Sequence, residues 1–78
     1  MNVDEIKTLL DAELNDCEIY VEGEGNHLSV TVIGEIFAGK RAVQRQQQVY
    51  AVLKDQIAAG TVHAVNLKTY TPAEWKAA

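Results

Sequence analysis

From Val3 to Leu14 the apolar residues Val3, Ile6, Leu10 and Leu14 recur at three- and four-residue steps, and Leu9 widens the stripe. That period predicts an amphipathic helix. Asn2 stands three residues before Glu5, the spacing of a capping box. Next, Cys17, Ile19 and Val21 alternate with Glu18, Tyr20 and Glu22. After the stretch Gly23-Glu24-Gly25-Asn26-His27 a second alternation starts with Leu28, Val30 and Val32. A period of two on both sides of a glycine-rich loop predicts a hairpin. A link from Gly34 to Lys40 carries Phe37, which reads as exposed in a loop but is better used as packing under the helix that follows. In that long helix Val43, Tyr50, Leu53 and Ile57 mark one face and Gly60 closes the last turn. Val62 to Lys68 reads as a third strand. Thr71-Pro72-Ala73-Glu74 then supplies an N-cap, a first-turn proline and a reciprocal glutamate for a short last helix. On it Trp75 is expected to close one end of the core.

The order is therefore helix, strand, strand, helix, strand, helix. A strand, helix and strand in one sheet make a right-handed parallel crossover, so the second and third strands should run the same way. The expectation is a single α+β domain over residues 1–78, a three-stranded mixed sheet with the helices packed on one face. A chain of 78 residues buries only roughly 60–65% of its unfolded surface and does not divide into two cores.

Charge and cysteine content narrow the function. The net charge of −4 disfavours avid nonspecific binding to phosphate backbones, which depends on basic charge displacing counterions. Cys17 is the sole cysteine, which excludes an internal disulfide and a cysteine-only metal site and fits a reducing compartment. Asp4 and Glu5 near the N-terminus and the short, interrupted apolar stretches point away from export or membrane insertion. The expected location is the cytoplasm.

Two stretches carry a family resemblance. Phe37-Ala38-Gly39-Lys40 leads into Val43-Gln44-Arg45 and Val49-Tyr50, and Val62-His63-Ala64 opens the final strand and runs on to Thr71-Pro72. Together they resemble the BolA family, in which F-x-G-K precedes a helix with V-x-R and V-Y, and a later I/V-H-A begins the last strand. Gln46 stands where the better-known BolA pattern has a histidine. Gln46-Gln47 and the ending Tyr70 to Trp75 are similar to the YrbA/IbaG branch. The resemblance implies a class II KH-like fold, although no G-x-x-G loop is present to clamp nucleotides.

It also implies a role as an adaptor in iron-sulfur trafficking or in iron, redox and stress regulation. Such an adaptor would be a monomer alone, without a cofactor, and a heterodimer with a monothiol glutaredoxin around a shared [2Fe-2S] cluster. In that role the resemblance assigns His63 as one cluster ligand and His27 as the second, with the glutaredoxin cysteine and glutathione completing the site. The residues themselves agree to this extent: His27 leads the second strand and His63 the third, so parallel strands bring both to one edge. Imidazole replaces thiolate on one iron of Rieske centres, and two imidazoles need a partner to complete four ligands. Binding requires neutral imidazole and should weaken in acid. Two scattered histidines of a small domain are otherwise ordinary solvated or hydrogen-bonded residues.

Cys17 lies on the apolar face and is expected to be structural. Lys40, Arg41 and Arg45 gather at the start of the long helix, whose dipole favours anions. Members of the family are described as transcriptional regulators. This segment is the DNA-facing surface of the second reading, with Gln44, Gln47 and Gln48 placed to read base edges. No nucleophile-base pair, phosphate loop or H-E-x-x-H is present, so catalysis is not expected.

Overall fold

The computed structural model describes residues 3–24, 27–60 and 64–77. The first helix, α1, spans Val3–Glu13. Ile6, Leu10 and, just past its end, Leu14 are buried, as the stripe predicts. The capping residue proposed for this helix, Asn2, lies outside the described residues. The hairpin strands are β1 (Glu18–Glu24) and β2 (His27–Ile33), antiparallel from Glu18↔Ile33 to Glu24↔His27. Each strand therefore runs further toward the turn than the glycine-rich stretch suggested. Glycine weakens a strand but does not forbid it where the partner supplies the ladder.

The third strand, β3 (Ala64–Tyr70), pairs parallel to β2, from His27↔Ala64 to Ile33↔Tyr70, giving sheet order β1-β2-β3. It ends two residues later than the alternation indicated, and the start of the expected strand, Val62 and His63, lies outside the described residues. The inner face carries Ile19, Leu28, Val30 and Val32, all buried, with Val65 and Leu67 packed against them. A small α+β domain with a mixed three-stranded sheet is thus the observed architecture. None of its described helices is long and apolar enough to cross a membrane.

Between β2 and the crossover lies a 3-10 turn, Glu35–Phe37, and Phe37 is fully buried. The packing use of Phe37 is therefore the observed one, and its exposed appearance in the sequence is corrected. Gly39 follows at φ 75°, the left-handed region that glycine enters without a Cβ penalty. That reversal lets the chain turn over the buried ring and enter the helix.

The crossover is two helices, α2 (Ala42–Val52) and α3 (Lys54–Ala58), bent at Leu53, where the backbone N–H donates to the Tyr50 carbonyl at 3.0 Å. The expected single face is also corrected. Val43 and Ile57 are exposed, whereas Val49 and Leu53 are fully buried. The inward row runs through Arg45, which binds Glu74 of the last helix, then Val49 and Leu53 in the core, and Gln56, which lines a hollow against α1. A search for apolar spacing alone therefore selected the wrong start and finish. Gly60 closes this segment at φ 74° as expected.

The last helix, α4 (Pro72–Ala77), folds back onto the end of the sheet. Trp75 remains 40% exposed and stacks on Tyr20, with ring centroids 6.1 Å apart, and packs tilted against Tyr70 at 5.2 Å. Tyr20 sits between the inward Ile19 and Val21, so alternation puts it on the outer face. Trp75 thus covers the sheet from outside and does not close the core, and α4 departs from the one-sided helix layer that α1 and α2 form. Replacing Phe37 by alanine is expected to cost about 3–5 kcal/mol. Val43→Ala, at an exposed helix site, should fall within about 0.5 kcal/mol of zero. Urea unfolding of the two variants checks the reassigned face.

Candidate functional site

The parallel pairing sets the first candidate site. His27 opens β2, is exposed, and is in register with Ala64, the residue that follows His63 in the chain. His63 itself lies outside the described residues. Around His27 the outer face offers a small polar hollow with Glu22, Gly23 and Ser29. Among the described residues no group of three His, Cys, Asp or Glu side chains comes together to hold a metal ion. The donor chemistry available from His27 is a single imidazole.

Cys17 precedes β1 and is half-buried against the core. Burial, reinforced by the neighbouring Asp16 carboxylate, raises its thiol pKa. A raised pKa lowers the thiolate fraction and with it nucleophilicity and metal affinity. Its sulfur fits against Gly34, where an added Cβ would lie only 2.5 Å from Sγ. Gly34 has extended backbone and donates its N–H to the Tyr70 carbonyl at 2.9 Å. The glycine is therefore needed for space, and Cys17 sits at a packing contact.

The basic cluster is drawn inward. Arg45 donates through both terminal nitrogens to the Glu74 carboxylate, at 2.7 and 3.2 Å, and through Nε to the Lys40 carbonyl at 3.0 Å. Its side chain is 13% exposed, and the guanidinium lies 6.0 Å from the Phe37 ring centroid. Glu74 also accepts the Thr71 N–H at 2.9 Å and donates its own N–H to Thr71 Oγ1 at 3.2 Å, which completes the capping box that the sequence predicted. Lys40 Nζ donates to Gln48 Oε1 at 2.9 Å, and Gln44 Oε1 accepts the Arg41 N–H at 3.0 Å. Of the residues put forward for DNA, Lys40, Arg41, Gln44 and Gln48 thus stand together at the start of α2. Arg45 is bound to the last helix. Gln47 lines the same open surface as Lys40, Gln44 and Gln48.

The Arg45–Glu74 pair was not foreseen. Its two halves were visible separately, as a helix cation and as a capping carboxylate. Only the return of α4 to the start of α2 joins them.

A small α+β domain with this strand order and an exposed histidine opening the central strand defines the class of fold. A profile of the BolA-like proteins matches residues 6–74, and the chain belongs to that family. It is 44% identical over 75 residues to the acid stress protein IbaG of Escherichia coli K12, an alignment covering 96% of this chain and 89% of that protein. It is 43% identical over 54 residues to the DNA-binding transcriptional regulator BolA of Vibrio cholerae, covering 69% of this chain and 50% of that protein. Among solved structures, a bolA protein homologue from Coxiella burnetii superposes with a TM-score of 0.84 at 31% identity, covering 97% of each chain. The family resemblance read from the motifs is thereby confirmed, with an IbaG relative among the matches.

Two measurements probe this end of the molecule. Glu74 is held down to about 2, against an ordinary value of 4.5, chiefly by the Arg45 guanidinium and then by the Thr71 N–H. A depressed carboxyl adds stability that is complete above the ordinary value and is lost as pH falls through the folded one. Urea unfolding should therefore show Glu74→Gln less stable than the native chain at neutral pH. The difference should narrow below about pH 4.5 and close near pH 2. Gly34→Ala should destabilise by about 1–3 kcal/mol through overpacking, and Cys17→Ala in the same chain should restore most of that loss. A double-mutant cycle with no coupling would separate the two residues.

Proposed function

We propose that the protein is an adaptor that docks with a monothiol glutaredoxin and shares a bridging [2Fe-2S] cluster with it, in iron-sulfur trafficking or in iron and redox regulation within a reducing compartment. The observation that carries this reading is the membership of residues 6–74 in the BolA-like family taken with the exposed His27 beside the first residue of β3. In this reading His63 is the first ligand and His27 the second. The glutaredoxin cysteine and glutathione complete the four, since a [2Fe-2S] cluster takes two ligands at each iron. His27 stands on a strand that is hydrogen-bonded on both sides, so its backbone is fixed before a partner arrives, which lowers the ordering cost of docking. No catalytic step belongs to this role.

A second reading, direct DNA binding through Lys40, Arg41, Arg45, Gln44 and Gln48, is favoured by one observation, the similarity to the BolA regulator of Vibrio cholerae. Its mark would be sequence-selective binding that weakens with salt and with neutralisation of Lys40 and Arg41.

Visible absorption and circular dichroism of a cluster-loaded monothiol glutaredoxin, titrated with this protein, decide the first reading. A new spectrum that saturates at one to one and disappears with His63→Ala is the expected result. Loss with His27→Ala as well identifies the second ligand. An unchanged spectrum with the native chain removes the proposal.

A further inference from the structure

At the end of β2 opposite His27, a groove of about 710 Å³ opens between the segment before β1, the 3-10 turn and α4. Its floor is Cys17, Ile33, Gly34, Ile36 and Trp75, a largely apolar surface kept low because Gly34 has no side chain. The volume falls in the range of about 300–1,000 Å³ common for ligand sites. Charges on the rim are three acids and one base, namely Asp16, Glu18 and Glu35 against Lys76, all exposed.

We propose that this groove is a docking site for a partner segment in which apolar side chains alternate with lysine or arginine. The apolar floor receives the hydrophobic side chains, and the acidic rim selects the cationic ones. Trp75 is exposed and aromatic, and tryptophan is both a frequent anchor of binding interfaces and a good face for a cation. The groove's inner wall is rigid, because Ile33 belongs to the central strand and Trp75 is held between Tyr20 and Tyr70. Six strand steps from His27 to Ile33 place the two sites about 20 Å apart. The groove can therefore be filled while the histidine end is engaged, and it does not depend on the cluster proposal.

Trp75 is the sole tryptophan and lines the groove, so its fluorescence reports occupancy. The probe is a short capped peptide of alternating leucine and lysine, with a leucine and glutamate peptide as control. A saturable change with the lysine peptide and none with the glutamate peptide is expected. Affinity should fall roughly tenfold when Glu18→Lys and Glu35→Lys are combined, two reversals at exposed rim sites that leave the core untouched. Amide NMR shifts should centre on Cys17, Gly34 and Lys76. No saturable change, an equal response to both peptides, undiminished affinity in the reversed variant, or shifts centred on His27 would each overturn the proposal. A Trp75 signal that depends on protein concentration without peptide would overturn it too, in favour of a second copy of the chain.

Discussion

The parallel ladder between β2 and β3 is the constraint on which the rest of the molecule depends. Two parallel neighbours cannot be joined by a tight turn, so the chain must cross back over the sheet. Here α2 and α3 make that crossing and supply Val49 and Leu53 to the core. Because β2 is also paired with β1, it is bonded on both edges, and its inward residues Leu28, Val30 and Val32 are at most 1% exposed. The ladder fixes which groups meet at each end of the sheet. At the start of both strands stand His27 and the beginning of β3, and at their finish stand Ile33, Tyr70 and the entrance to α4.

At the finish, Arg45, Glu74 and Thr71 join α2 to α4 across 29 residues of sequence. An exposed ion pair contributes little, but this one is bidentate, and it caps a helix and covers the Phe37 ring through a guanidinium that is mostly shielded from water. Planar guanidinium geometry makes arginine the suitable residue here, since lysine would lose the fork and the stacking together. The same linkage holds α4 against the sheet end and so keeps Trp75 over Tyr20 and Tyr70. The histidine end of the sheet carries a polar hollow with Glu22, Gly23 and Ser29.

Much of this was legible in the sequence because strands and helices leave different periods. The alternations at Ile19 and Val21 and at Leu28, Val30 and Val32 placed the hairpin. The T-P-x-E run placed the last capping box, and the F-x-G-K and V-H-A motifs placed the family. What escaped had physical reasons. The inward row of the crossover begins at Arg45, a cation made tolerable there by a carboxylate far along the chain, so an apolar period could not find it. Trp75 was assigned to the core from its size, whereas the outer face of a three-stranded sheet also has aromatic surface to cover, supplied by Tyr20 and Tyr70. For the candidate site, the sequence placed His27 correctly at the strand opening, and its pairing with His63 rests on the family.

The fate of Arg45 also weighs between the two functional readings. Electrostatic affinity for DNA grows with the number of phosphates neutralised, and strong binders make about 6–10 such contacts. Of the three cations at the start of α2, Arg45 is neutralised by Glu74 and anchored to the Lys40 carbonyl, so using it on a phosphate would break its bidentate link to α4. Lys40 and Arg41 alone, on a chain of net charge −4, would have to hold DNA against the repulsion of the remaining surface. A protein partner around a shared cluster makes no such demand. In that reading affinity would come from ligand bonds and covered surface, and the acidic charge would help to choose the partner. That asymmetry, and not the histidines alone, places the adaptor reading ahead of the DNA reading.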